Sequence, residues 1–208
     1  MDYDHNPGWS ISGAIEVLHM GHSRAQKAAT HDRLVSIAAR RFREQGLEGL
    51  SVADLMNEAE LTVGGFYKHF DSREALVREA MGVAMAESEA RVEARESLAE
   101  GIDAYLSPGH RDNPGDGCPI AALSCDVGRA VAETRTLFTE RIERRLRSLE
   151  IGVTAPEGMA KRDGAIVTLS TLVGALTLAR AVSDDGLSEE ILETARVFLR
   201  ETFAADQG

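Results

Sequence analysis

Apolar residues recur every three to four positions along most of this chain and nowhere alternate strictly with polar ones. That pattern predicts an all-α protein of about nine helices with no internal repeat. Leu34, Ile37, Ala38 and Phe42 form the first firm stripe, Arg40, Arg41 and Arg43 lie off it, and Gly46 supplies a stop, so a helix is expected from about Thr30 to Gln45. Ser51 can cap a second helix with Asp54 as its capping partner, burying Val52, Leu55, Met56 and Ala59. A third starts at Thr62, with Phe66 and Phe70 one turn apart on its inward face. The capping pattern Asp71-Ser-Arg-Glu74 opens a fourth, which runs without a breaker past Met85 towards Arg95. Residues 107–117 are so dense in Gly, Pro, Asp and Asn that a loop is expected. Helical patterns resume over 119–130, 132–150, 157–183 and 188–204.

Residues 1–27 show no sustained periodicity and read as a flexible N-terminal arm. Met20-Gly-His-Ser-Arg24 also resembles a natural protein start. Residues 1–19 read equally well as an upstream extension, in which case Arg24 and Lys27 form a short basic arm. The remaining chain divides into a compact helical unit over 28–74 and a larger one over 75–208.

Hydrophobic residues make up 43% and charged residues 27%, as in ordinary soluble globular proteins. No apolar run approaches the roughly 20 residues that span a bilayer. The start Met-Asp-Tyr-Asp has neither a basic leader nor an apolar core, so a cytoplasmic protein without a membrane partner is expected. Two cysteines, Cys118 and Cys125, make no disulfide framework and match no zinc spacing. No catalytic signature or cofactor motif is visible, so neither an enzyme nor a cofactor is expected. The net charge of −11 is unevenly spread: −3 over residues 1–19, zero over 20–80 and −8 over 81–208. The acid lies away from the first helical unit, which argues against non-specific coating of nucleic acid and fits a small DNA module on an acidic body.

The densest chemistry lies in Ser51-Val-Ala-Asp-Leu-Met-Asn-Glu-Ala-Glu-Leu-Thr-Val-Gly-Gly-Phe-Tyr-Lys-His-Phe70, two short helices joined by a tight turn. Thr62 offers a hydroxyl and free backbone N–H groups at a helix start, equipment for gripping a phosphate. Gly64 and Gly65 each cost a helix about 1 kcal/mol relative to alanine, which makes sense where its backbone must come close to another surface. That surface is either DNA or a neighbouring helix. Tyr67 and Lys68 fall on the outward face, able to reach phosphates or base edges, while Phe66 and Phe70 anchor from behind.

These residues resemble the N-terminal domain of the TetR/AcrR family of bacterial transcriptional regulators. The resemblance rests on Ala38-Ala-Arg-Arg-Phe42, Gly46, Ser51-Val-Ala-Asp-Leu55, Ala59 to Phe70 and Ser72-Arg-Glu-Ala-Leu76. It covers about a quarter of the chain. It implies a homodimer that binds a palindromic double-stranded operator and releases it when a small-molecule inducer enters the C-terminal domain. Carried onto this sequence, it assigns Ser51, Thr62, Tyr67 and Arg73 to phosphates, and Val63, Gly64, Gly65, Lys68 and His69 to bases or backbone. Many relatives carry a lysine or arginine where this chain has Val63, so one charge contact is missing. A valine can instead touch a thymine methyl.

The resemblance also implies dimerisation through the last two long helices. Val167, Thr171, Gly174, Ala175, Leu178 and Val182 would form the seam on one, and Ile191, Leu192, Ala195, Phe198 and Leu199 the apolar face of the other. Met81, Met85, Cys118, Leu123, Phe138 and Met159, with Leu137, are candidate cavity residues. Taken alone, such apolar side chains also suit plain core. Pro119 suits the first position of a helix, which puts Cys118 at its N-cap, where the helix dipole favours a reactive thiol. A similar Gly-Cys at a helix start occurs in TetR-type regulators that sense electrophiles. Cys118 is thus either a sensor thiol or a small packing residue. Cys125 stands roughly 10 Å along the same helix, too far for a disulfide. Arg141, Arg144, Arg145 and Arg147, interspersed with Glu140, Glu143 and Glu150, read better as a salt-bridged face than as an anion site. His110, Asp112 and Asp116 match no metal spacing.

Overall fold

The computed structural model describes the backbone of residues 11–204 and the side chains of residues 24–204. Among these, nine α-helices and two short 3-10 helices follow one another without a strand. Helix α1 (Ile11–Gln45) begins well before Thr30. Of the expected N-terminal arm, residues 1–10 lie outside the described residues and 11–27 are helical. Gly13 and Gly21 weaken that stretch by about 1 kcal/mol each but no proline interrupts it, so nothing forces a stop. Leu34, Ala38, Ala39 and Phe42 are buried as their spacing requires. Arg43 departs from the pattern: it is only 5% exposed and pairs with Glu87 at 2.9 Å.

Helix α2 (Val52–Glu58) is capped by Ser51, whose oxygen accepts the Asp54 N–H at 3.1 Å. The element expected at Thr62 is a six-residue 3-10 helix, Val63–Lys68, rather than a longer α-helix. Its two adjacent glycines withhold the propensity that a further turn needs. Helix α3 (Arg73–Glu93) starts one residue later than its sequence pattern, because Ser72 rather than Asp71 caps it.

Beyond α3, Ser97 caps a separate short helix, α4 (Leu98–Tyr105), absent from the expected series. The presumed loop over 107–117 contains α5 (Pro108–Asp112) and a 3-10 turn (Pro114–Asp116). Each opens on a proline, whose fixed φ suits a first helical turn, so prolines that signal a loop here start helices instead. Helices α6 (Pro119–Val127), α7 (Ala132–Gly152), α8 (Lys161–Ala181) and α9 (Asp185–Phe203) follow. Contrary to the sequence expectation, α8 has the length and mean hydropathy, 1.5, of a membrane span. It packs between α7 and α9, and Ala165, Leu169, Leu172, Leu176 and Ala179 turn inward, which accounts for its apolar composition.

One continuous core runs from Leu34 to Phe203, so the two helical units share their interior. Their joint is polar at two points. Asp126, late in α6, accepts the Leu47 N–H at 3.0 Å just beyond α1. Gly115 lies so close to α1 that a Cβ there would stand 2.5 Å from Glu44 Oε1.

Candidate nucleic-acid interface and ligand cavity

The 3-10 helix Val63–Lys68 is held from behind by an aromatic cluster. Phe66 and Phe70 are buried with ring centroids 5.3 Å apart, and His31 of α1 stacks on Phe70 at 4.7 Å. With that face fixed, the opposite one is presented outward. Tyr67 is 76% exposed although its neighbour Phe66 is 1% exposed, and Val63 is 48% exposed. Thr62 and Lys68 are also exposed. The Thr62 hydroxyl makes no capping bond, and Lys68 has no ion pair among the described residues.

The two glycines differ. A Cβ on Gly65 would touch Met56 at 3.4 Å, so its smallness serves packing on α2, whereas one on Gly64 would meet nothing within 4 Å. Packing within the chain therefore explains Gly65 and leaves Gly64 unexplained. His69 sits at the edge of the turn, half-buried. Burial first, then the nearby charges of His31, Lys27 and Lys68, hold its pKa below the ordinary histidine value. Lys27 thus adds its charge to this face from α1.

Ser51 and Arg73 are engaged otherwise. The Ser51 hydroxyl caps α2 and also meets Asp54 Oδ2 at 2.5 Å. Arg73 donates to the Leu47 carbonyl and reaches Glu48 at 3.5 Å, closing the turn between α1 and α2. Any contact they make with a phosphate adds to these bonds.

In the second unit a cavity of about 330 Å³ opens between α3, α4, α6 and α7. Met85 and Cys118 line it as expected, while Met81 and Leu123 are core residues, Phe138 packs against the core and Met159 is on the surface. Cys118 is the N-cap of α6 and buried. Its backbone N–H donates to His110 Nε2 at 3.0 Å, and His110 Nδ1 lies 2.7 Å from the Tyr105 carbonyl. One ring nitrogen must therefore accept and the other donate, which fixes a neutral imidazole. Burial pushes the His110 pKa down, as do Arg180 and Arg91, against the opposing pull of the Tyr105 carbonyl. The Tyr105 hydroxyl stands beside Cys118, buried and without a hydrogen-bond partner, and burial raises its pKa well above the ordinary phenol value.

Sequence reasoning missed Tyr105 and Arg91 on this wall, weighed His110 only as a metal ligand, and read Arg145 as part of a salt-bridged face, although it makes no ion pair among the described residues. For Arg145 a signal existed: it lies four residues after Arg141, which puts both on the side of α7 that faces the cavity. Arg144 and Arg147, by contrast, point to solvent.

Helices α8 and α9 leave an apolar face uncovered. Leu178, Leu187 and Phe198 are exposed there, flanking a shallow groove that Thr171, Gly174, Ala175, Ile191 and Ala195 also line. Val167 is exposed and Val182 partly so. Leu192 and Leu199, expected at the same seam, are buried in the protomer's own core, because they fall on the side of α9 that packs against α8.

Fold and exposed turn together define a helix-turn-helix protein. The family described as "Bacterial regulatory proteins, tetR family" matches residues 34–80, the span from the buried part of α1 through the turn into α3. Over those residues the chain resembles the TetR/AcrR family. It is 27% identical over 133 residues to the HTH-type transcriptional repressor KstR2 of Rhodococcus jostii (strain RHA1), a match that covers 61% of this chain and 64% of that protein. The chain thus spans slightly under two thirds of that relative's length. In fold it resembles the reduced form of E. coli NemR, with a TM-score of 0.71 at 19% identity over 86% of this chain and 100% of that one. It also resembles AibR in complex with isovaleryl coenzyme A and operator DNA, with a TM-score of 0.58 at 18% identity over 85% and 100%.

Proposed function

We propose that the protein is a ligand-responsive transcriptional repressor. It grips a palindromic operator as a homodimer and lets go when a small molecule occupies the cavity beside Cys118. The observation that carries this reading is the contrast between Phe66 and Tyr67. Adjacent residues are driven to opposite extremes of burial, so the chain spends core volume on displaying a tyrosine, a lysine and a bare glycine backbone. Such a surface suits the major groove and its flanking phosphates. The family relation and the repressor name of the R. jostii relative support it, as does a structural neighbour caught with both a coenzyme A thioester and operator DNA. The uncovered face of α8 and α9 supplies a dimer seam, and a two-fold axis there puts two reading turns about one helical turn of DNA apart. DNA as partner fits a cytoplasmic protein.

The mechanism is a population shift between a dimer whose turns match the operator and one whose turns do not. Two elements join cavity to reading head. Helix α3 contributes Met85 and Glu89 to the cavity and packs its first half on α1. Helix α6 begins at the cavity with Cys118 and ends at the α1 turn with Asp126.

The test is titration of DNA flanking the protein's own gene, across a salt series, with Tyr67→Ala and Lys68→Ala beside the wild type. Tight, salt-sensitive binding weakened in both variants is expected, with a salt slope shallower by about one for the lysine variant. A folded dimer that selects no site from genomic DNA would sink the proposal.

A second reading is favoured by the position of Cys118 itself. Its thiol lines the cavity beside the Tyr105 hydroxyl, so an electrophile that entered would meet it. In that case Cys118→Ser abolishes release by electrophiles and leaves operator binding intact. Release unchanged in the serine variant rules it out.

A further inference from the structure

Of the five arginines on α7, the four from Arg141 onward differ in one respect. Arg141 and Arg144 share Glu89, each at 3.3 Å, and Arg147 stands 3.8 Å from Glu143. Arg145 makes no ion pair and no hydrogen bond among the described residues. It is half-buried on the cavity wall, where burial lowers its pKa from the ordinary value. A guanidinium withdrawn from water without a partner is costly, and such a group calls for a compensating anion. Nearby is a second unsatisfied donor, the buried Tyr105 hydroxyl, which also lines the cavity. A buried donor left idle is unusual, since buried polar groups are nearly always paired, and here it shares a wall with a guanidinium that has no ion pair among the described residues.

The other charges on this wall do not remove the need. Glu89 is already shared by two arginines, Arg95 is paired with Glu100 at 3.1 Å, and Asp116 is exposed at the margin. Arg91 adds positive charge at the rim, its guanidinium 3.5 Å from the Gly117 carbonyl. The lining also holds an apolar strip, Met85, Val92, Ile120 and Leu169, beside the polar Ser88, Ser107, His110 and Asn113. A wall whose arginines outnumber its carboxylates, beside an apolar strip, disfavours cations and accommodates an amphipathic acid. At about 330 Å³ the space lies at the small end of ligand cavities.

Resting on the regulator reading, we propose that the effector is an apolar organic acid. Its anionic group is held by the Arg145 guanidinium and the Tyr105 hydroxyl, and its apolar body lies against Met85, Ile120 and Leu169. The anion completes a site that the protein leaves unsatisfied, so occupancy draws α4 and α7 together across the wall that also carries the start of α6.

The experiment compares 1-anilinonaphthalene-8-sulfonate with its uncharged counterpart N-phenyl-1-naphthylamine, by fluorescence titration of the full-length protein. The sulfonate is expected to bind at least tenfold more tightly. Arg145→Met should weaken it tenfold or more without changing the weak binding of the neutral probe, which also reports that the cavity is intact. Arg145→Lys should restore part of the loss, Tyr105→Phe should cost about threefold, and Arg147→Met should change nothing. Equal affinity for the two probes, binding of neither, or sulfonate binding indifferent to Arg145→Met would overturn the proposal. The readout contains no DNA, so failure here counts against the anion site alone, and the operator titration decides the regulator reading separately.

Discussion

The carboxylate of Asp126 accepts the backbone N–H of Leu47 at 3.0 Å, fastening the far end of α6 to the turn that closes α1. Asp126 also pairs with Arg129 through its other oxygen at 2.8 Å, which holds the carboxylate in place. Replacing Asp126 by alanine leaves the Leu47 donor without its partner, a loss of about 1–3 kcal/mol if water does not replace it. Urea unfolding measures that loss. Operator titration with and without inducer should show basal affinity nearly kept and the inducer response reduced, because one of the two ties between cavity and reading head is gone.

Gly46, at φ 78, belongs to the same joint. A Cβ there would lie 2.7 Å from Asp126 Oδ2, so Gly46→Ala combines left-handed strain with a clash. The expected cost exceeds about 1 kcal/mol. In an Asp126→Ala background the clash is absent and the cost should fall, so a double-mutant cycle by urea denaturation should show coupling. Strictly additive losses would mean that strain alone accounts for the glycine.

Phe66 and Tyr67 should separate folding from recognition. Phe66→Ala removes a buried ring and should cost about 3–5 kcal/mol in unfolding free energy. Tyr67→Ala should leave the unfolding midpoint within about 0.5 kcal/mol of wild type while lowering operator affinity.

His110 gives the stability a pH dependence of definite sign. Its folded pKa is lowered by burial, so the unfolded chain takes up a proton first as pH falls. Its contribution is complete above the ordinary histidine range. It declines as pH drops below about 6.5 and through the folded value, then levels off. Thermal unfolding between about pH 8 and pH 5 should therefore show a shallower decline in His110→Asn than in wild type. The difference curve isolates His110 from His69, whose pKa is lowered as well.

The dimer seam proposed on α8 and α9 is open to a charge test. Leu178 and Phe198 are 57% and 49% exposed, so glutamate at both positions should leave the protomer folded and split the dimer. Sedimentation equilibrium reads the mass and circular dichroism the helix content. Leu199 is unsuitable for this purpose, because it is wholly buried and its loss would unfold the protomer instead.

What could be read in the sequence was whatever depends on local pattern. The stripes of α1, α2 and α9 follow from spacing, the cap at Ser51 from side-chain hydrogen bonding over three residues, and the N-cap position of Cys118 from the proline after it. The helical turns at Pro108 and Pro114 were hidden because proline serves equally to end a helix and to start one. Arg43 looked like a surface residue on helical phase, and only its reach to Glu87 on α3 explains its burial. The cavity was hardest to foresee. Met85 and Cys118 were visible as candidates, but Tyr105, His110 and Arg145 come from three elements. Their common trait, a polar group facing enclosed space, exists only after the helices are assembled.

Gly64 sits in the reading turn with open space where a side chain would stand, and its backbone is not in the left-handed region. A residue added there therefore burdens neither the core nor the turn. Under the proposed function, the molecule thus contains a position at which operator preference can drift through mutation while folding stability stays level. Duplicated copies of such a protein can part company at this one site, acquiring separate sets of controlled genes before any other change in the scaffold is needed.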